Sequence, residues 1–152
     1  MNRKEGETVN IHFGSEKWHQ AAALYVRMQV FVLERGIHLT EEFDIDDHDK
    51  TNYVVIYDGN QAVATGRYKQ KDVETIRPGR IAVLKDYRNR GLGQQIIEEL
   101  EKESLERGVK QSIIHGELTA AAFYEKLGYK KCSEEYLEDG VPCVTLKKQL
   151  VQ

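Results

Sequence analysis

The sequence predicts a mixed α/β fold built on one central sheet, and three observations predict it. Apolar residues alternate with polar ones in several short stretches, whereas in longer stretches they recur near the helical period. The two kinds of stretch follow one another in the order β, long helix or helix pair, β-β-β, α, β, α, β-β. Across the 152 residues there is no internal repeat or low-complexity linker, so one domain spanning residues 1–152 is expected, with about seven mostly antiparallel strands flanked by helices.

Each element has its own signal. TVNIHFG, residues 8–14, alternates as a strand does, and SEKWHQAAALYVRMQVFVLERG, residues 15–36, turns helical with Ser15 as N-cap and Gly36 as stop. Residues 37–52 have little periodicity and many acids, and read as a long loop. Residues 53–69 form two strands around Asp58-Gly59-Asn60, a hairpin turn. A further strand lies in TIRPGRIAVLKDY, where Pro78 and Gly79 mark an edge-like part because proline cannot donate to a ladder. Leu92, Ile96, Ile97 and Leu100 share one face of the next helix, which Gly108 closes. A strand at 111–115, a helix at 118–128 and a strand pair around Glu138-Asp139-Gly140 complete the chain.

Composition restricts the partners. Lys and Arg number 22 against 25 Asp and Glu, a formal charge of −3, which argues against the broad basic surface that nucleic acid requires. No apolar run reaches the length of a signal peptide or of a membrane span, so a cytoplasmic protein that does not engage membranes is expected. Cys132 and Cys143 are the only cysteines, and a reducing compartment leaves both as thiols. The run DIDDHD at 44–49 lacks the Gly and Glu of a calcium loop, and the five histidines show no zinc spacing, so no metal is expected. As a run of acids it reads as a solvated loop, with recognition of a cationic substrate as the sharper alternative.

The informative stretch is LKDYRNRGLGQQIIEEL, residues 84–100. Lys85, Arg88 and Arg90 crowd the start of a helix whose unpaired first-turn N–H groups are already positive, so an anion belongs there. Glycines between a strand and a helix let a backbone approach phosphate. A P-loop is excluded because no Lys-Ser or Lys-Thr pair follows Gly91, and a dinucleotide fingerprint is weak because Ile96 stands where its third glycine would be. What remains is R-x-x-G-x-G, formed by Arg88, Gly91 and Gly93.

The segment RIAVLKDYRNRGLGQQIIEEL closely resembles the acetyl-CoA motif of the GNAT acetyltransferase superfamily, and AAFYEKLGY, residues 121–129, resembles that family's second signature. The resemblance implies an acyl-CoA-dependent N-acetyltransferase with acetyl-CoA as co-substrate. It implies that Arg88, Asn89, Arg90, Gly91, Leu92, Gly93 and Gln94 hold the pyrophosphate, that the backbone of Ile81, Ala82 and Val83 pairs with the pantetheine arm, and that Tyr124 lies near the sulfur. RMQVFVLERGIHLTEEFDIDD, residues 27–47, resembles the ElaA-like branch, and a similar pattern occurs in acyl-homoserine-lactone synthases.

The acceptor is then a small-molecule or peptide amine, attacked directly in a ternary complex. Tyr124 is the candidate general acid for the departing thiolate, although at helical spacing with Phe123 and Leu127 it also suits a core. Glu117, His115, Glu34 or a carboxylate of residues 41–47 could serve as the base, and the sequence does not choose among them. Glu117 equally suits a helix N-terminus, and Glu34 suits an ion pair with Arg27 or Arg35. Two further functions fit these residues: an autoinducer-type synthase, whose family members are longer, and a non-catalytic acyl-CoA sensor. The edge of the C-terminal hairpin offers a surface for a homodimer.

Overall fold

The computed structural model describes residues 10–151. Its strands are β1 (Asn10–Gly14), β2 (Tyr53–Asp58), β3 (Gln61–Asp72), β4 (Thr75–Val83), β5 (Gln111–Glu117), β6 (Lys130–Lys131), β7 (Tyr136–Glu138) and β8 (Val141–Gln149). Its α-helices are α1 (Lys17–Arg27), α2 (Leu39–Glu42), α3 (Leu92–Leu105) and α4 (Ala121–Lys126). The strands form one sheet in the order β1-β2-β3-β4-β5-β8-β6, with β7 also on β8. The β1–β2, β2–β3, β5–β8, β6–β8 and β7–β8 pairs are antiparallel, and β4–β5 is parallel. This is the expected mixed α/β fold with eight strands rather than about seven; residues 8 and 9 of the expected first strand lie outside the described residues.

The chain packs as two compact units, one of the residues up to Arg67 with Arg80–Glu99, the other of Tyr68–Gly79 with the residues from Leu100 on. In the first, α1 lays Ala23 and Val26 on Tyr53, Val55, Ala62 and Ala82. Burying a side chain the size of valine stabilises by about 1.5–3 kcal/mol, so this small cluster fixes α1 against the sheet. The expected helix of 15–36 does not stay α-helical. From Met28 to Glu34 it widens to a π-helix, in which Arg35 N–H reaches back five residues to Val30 O at 3.1 Å. Gly36, at φ 77°, ends it as expected. The β2–β3 hairpin turns at Gly59, φ 62°, with Asp58 opposite Gln61.

The acidic segment departs most from its solvated reading. α2 interrupts it, and Glu42, Asp44 and Asp47 turn toward arginines, while Glu41 and Asp49 stay exposed. Arg27, fully buried, donates through Nε to Glu42 Oε2 at 2.8 Å and through Nη1 to Asp47 Oδ1 at 2.6 Å. Arg67, also buried, pairs with Asp47, which accepts in addition from Tyr53 OH at 2.6 Å. Arg80 reaches Asp44 at 3.2 Å. Cations taken out of water need such partners, because a buried unpaired charge costs several kcal/mol. Burial alone would raise the Asp47 carboxyl, but the bonds from Arg27 and Tyr53 outweigh it and hold it far below the usual range. Burial likewise works against the Arg27 charge, and its bonds to Asp47 and Glu42 more than restore it.

In the second unit β5 runs beside β8 along its length, from Gln111↔Gln149 to Glu117↔Cys143. Its ladder to β4 covers only Thr75↔Gln111 and Ile76↔Ser112. Pro78 sits on β4, an interior strand, but where β4 no longer pairs with β5, which is the edge-like position expected. It is tolerated because the parallel ladder has ended two residues earlier, so its missing N–H breaks no β4–β5 bond. Buried Tyr129 donates to Glu101 Oε2 and meets Ser112 Oγ, each at 2.8 Å, tying α3 and β5 to the segment after α4. Cys132 is exposed and Cys143 buried, both as free thiols. Among the described residues no helix is long and apolar enough to cross a membrane.

Candidate functional site

The glycine motif is built from a short 3-10 turn, Lys85–Tyr87, and the start of α3. Leu84 N–H donates to Val63 O at 2.9 Å, and Tyr87 OH donates to Asp58 Oδ2 at 2.6 Å, so both ends of the 3-10 turn are held to the hairpin. Two residues with positive φ, Asn89 at 64° and Gly91 at 78°, then reverse the chain. The first backbone bond of α3 runs from Gln95 N–H to Gly91 O at 3.1 Å. The N–H groups of Leu92, Gly93 and Gln94 thus have no acceptor within the helix. The first turn of α3 carries no acid, so nothing within it offsets the positive end. A Cβ built on Gly91 would meet no atom within 4 Å, so the backbone faces open space there. Unpaired amides at a helix N-terminus beside an open glycine suit a diphosphate.

The two arginines of the motif are both engaged. Arg88 donates through Nη1 and Nη2 to the two carboxylate oxygens of Glu34, each at 2.7 Å, and through Nε to Val83 O at 3.0 Å. Glu34 therefore makes the expected kind of contact, an ion pair, with Arg88 as the partner in the hydrogen-bonded pair. The Arg88 hydrogen bonds hold the Glu34 carboxyl below its usual range, and Glu34 raises Arg88 in turn. Arg90 caps the 3-10 turn through Asp86 O at 3.0 Å and lies over the Tyr87 ring at 5.0 Å. Ala82 is buried, while Ile81 and Val83, either side of it on β4, are half-buried. A groove of about 390 Å³ beside the motif is lined by Tyr25, Leu33, Glu34, Lys85 and Tyr87, among others.

Tyr124 and Glu117 belong to the second unit. The Tyr124 ring packs against Phe123 and Tyr129, with centroids 5.2 and 6.1 Å away. Its edge faces Gly116, where a built Cβ would lie 3.1 Å from Cε2. Tyr53, Tyr57, Tyr87, Tyr129 and Tyr136 each set their hydroxyl against a protein partner. The half-buried Tyr124 hydroxyl makes no hydrogen bond among the described residues. Burial, and then the charge of Glu117, push it above the usual tyrosine value, so it keeps its proton at neutral pH. Glu117 stands at the start of the 3-10 turn Leu118–Ala120 without capping it through its side chain.

Sequence reasoning missed two neighbours of these residues. Gly116 makes room for the Tyr124 ring, a need visible only once the helix folds back on β5. Tyr136, on β7, places its hydroxyl 3.1 Å from His115 Nδ1. Burial and the nearby Arg77 lower the His115 value, so the ring is neutral at pH 7. Among the described residues no group of three or more His, Cys, Asp and Glu is arranged to hold a metal ion.

A mixed sheet with a glycine-bounded helix N-terminus at the start of α3 has room and unpaired N–H groups for an anion there. Residues 49–131 match the family model described as "Acetyltransferase (GNAT) domain". An uncharacterised N-acetyltransferase of Bacillus subtilis, YjcF, is 37% identical over 127 residues, 83% of this chain and 89% of its own. A crystal structure from Lactobacillus plantarum, assigned to the N-acetyltransferases, superposes with a TM-score of 0.91 at 38% identity, covering 95% of this chain and 100% of that one. Escherichia coli ElaA superposes at 0.80 with 22% identity over 93% and 99%, a likeness of fold. The chain belongs to the GNAT acetyltransferases.

Proposed function

We propose that this acetyltransferase moves the acetyl group of acetyl-CoA to the neutral amine of a small molecule or peptide by direct attack. Acetyl-CoA supplies the activated thioester carbonyl. In this reading the N–H groups of Leu92, Gly93 and Gln94 hold its pyrophosphate, with Asn89 and Gly91 shaping the turn and Arg90 adding charge. The β4 backbone at Ile81, Ala82 and Val83 takes the pantetheine arm. Arg88 acts chiefly by bracing the turn, since its guanidinium is committed to Glu34 and Val83 O.

The single observation that carries the chemical assignment is the Tyr124 hydroxyl, half-buried, protonated at neutral pH and without a protein partner among the described residues. Such a group is a proton donor for a departing thiolate. A lysine-like amine has a pKa of about 10.4 and must lose a proton before it attacks. Glu117, whose charge Tyr124 feels, is assigned that task, directly or through water. His115 is the weaker candidate because Tyr136 already occupies its Nδ1. The Arg27 to Glu34 pattern shared with autoinducer synthases is accounted for here by ion pairs to Glu42, Asp47 and Arg88. Acetyl-CoA is a metabolite of the cytoplasm, which is the proposed place of action.

The test is a thiol-release assay with acetyl-CoA and a panel of polyamines, aminoglycosides, amino acids and peptides. Release above the hydrolytic background with one class, and N-acetylated product by mass, is the expected result. Tight CoA binding with no turnover on any amine would point instead to an acyl-CoA sensor.

A further inference from the structure

A second groove, of about 720 Å³, lies in the second unit, and its walls carry Lys130, Lys131, Lys147 and Lys148 together with Cys132 and Gly128. Lysine is the wrong residue to repeat here on local grounds. Lys130 and Lys147 stand directly opposite one another across the β6–β8 ladder. Side chains at opposed positions project from the same face about 4.5–5.5 Å apart at Cβ, and like charges so placed destabilise a sheet. Lys148 is neutralised by Glu101 at 2.9 Å and lies over the Tyr129 ring at 5.6 Å, which fixes its position. Lys130, Lys131 and Lys147 have no acidic partner among the described residues. A chain with a formal charge of −3 therefore keeps three uncompensated cations in one concavity.

Edge protection accounts for part of this only. Lysines on an edge strand discourage pairing with another chain, and β6 is such an edge. But Lys147 and Lys148 are on β8, which lies between β5 and β6 and has no edge to protect. The groove's lining also defines its ligand. It contains no aromatic ring to stack on a base and no arginine to fork onto a single carboxylate. It offers ammonium groups, which bind phosphate as point charges. The site is separate from Tyr124, since Lys147 and Lys148 pair with Ile113 and Ser112, three and four positions along β5 from Gly116.

We propose that this lysine groove is a binding site for a compact multivalent phosphate anion of the polyphosphate type, held by charge. Bound there, the anion offsets the Lys130–Lys147 repulsion, so occupancy stabilises the fold. Because the attraction is electrostatic at an open surface, affinity falls steeply with ionic strength. Cys132, exposed in the same groove, reports on it. An anionic aromatic disulfide is drawn to the thiol faster than a neutral one, and a bound polyphosphate blocks both.

The experiment is calorimetric titration of sodium tripolyphosphate into the full-length protein at low salt. Excess coenzyme A is present so that the Gly91 cradle is not available to the probe. Saturable binding is expected, weakened about threefold by Lys130→Gln or Lys147→Gln and about tenfold by both, from the energy of an exposed ion pair. Lys130→Gln should also raise the Tm without tripolyphosphate and shrink the rise it gives. Tripolyphosphate should slow modification of Cys132 in the parent and not in the double variant. If coenzyme A itself fails to bind, the function proposed above is at fault, and the lysine variants still report on this groove. Absence of saturable binding, or equal affinity in the double variant, overturns the proposal. So does a concentration-dependent dimer that the same substitutions disperse without any phosphate binding, which would make the occupant the acidic 134–139 segment of a second copy.

Discussion

Glu34, at the end of the π-helix, grips both terminal nitrogens of Arg88, and the same guanidinium donates to Val83 O on β4. One arginine thus links the π-helix, the strand and the glycine turn. Glu34→Ala should therefore weaken coenzyme A binding several-fold although Glu34 touches none of the proposed phosphate donors. Arg88→Ala should do no more, and the double variant should match the single ones rather than add to them. Calorimetry on the three variants checks this. The Glu34 carboxyl is depressed in the folded protein, so the pair is intact above the ordinary glutamate range and is lost as pH falls through the lowered value. Affinity should accordingly be flat near neutral pH and drop only in acid.

Gly91 stands at φ 78° with open space where a side chain would point. Gly91→Val places a branched side chain in the left-handed region, at about 1–2 kcal/mol, and puts it in the path of an anion approaching the α3 amides. A folded protein with a modestly lower Tm and no measurable coenzyme A binding is expected. Unchanged affinity would remove the α3 N-terminus from the site.

Asp47 accepts from Arg27, Arg67 and Tyr53 together, which makes it a structural rather than a substrate-facing acid. Asp47→Asn leaves two buried guanidinium groups short of charge and should cost about 3–5 kcal/mol, read by denaturant unfolding. Its carboxyl is depressed on folding, so the stabilisation is complete above the ordinary aspartate range and declines as pH falls toward the native value. Asp46, whose backbone N–H is held by Asp44 Oδ1 within the loop, is the better position for probing acceptor charge.

These cases mark what the sequence makes legible. The hairpin at Asp58-Gly59-Asn60, the face of Leu92, Ile96, Ile97 and Leu100, and the glycine turn are local, so periodicity and turn chemistry reveal them. Asp47 was not legible because its meaning depends on Arg27 and Arg67, each twenty residues away and brought in by different elements. The widening at Met28–Glu34 has no local breaker to announce it. Pro78, by contrast, was legible: proline reports a missing ladder bond, and β4 has parted from β5 before it, although β4 is an interior strand.

Gly116 gives a prediction about geometry. Its Cβ would sit 3.1 Å from Tyr124 Cε2, tighter than ordinary contact, so in Gly116→Ala the ring must shift by a few tenths of an ångström. A misplaced proton donor lowers kcat while binding groups elsewhere are untouched. A several-fold loss in kcat with little change in KM for acetyl-CoA is expected, and it should vanish in a Tyr124→Phe background, where no hydroxyl remains to misplace.

Tyr124→Phe is the decisive substitution. Because the hydroxyl has no hydrogen-bond partner among the described residues, removing it strands no buried group, and phenylalanine keeps the packing on Phe123 and Tyr129. Tm should stay within a degree or two, which is the range of a few tenths of a kcal/mol. If Tyr124 protonates the thiolate, kcat should fall about 10²-fold while the Kd for acetyl-CoA holds. The deficit should narrow with an acyl donor whose thiol leaves more readily, since that thiolate needs less help. The pH profile carries a separate sign: burial and Glu117 raise the tyrosine, so the acid form persists above the ordinary tyrosine value, and the alkaline limb of kcat assigned to it should lie higher than for a free phenol and disappear in the variant. Full turnover by Tyr124→Phe would reassign the proton to solvent and leave Tyr124 a packing residue.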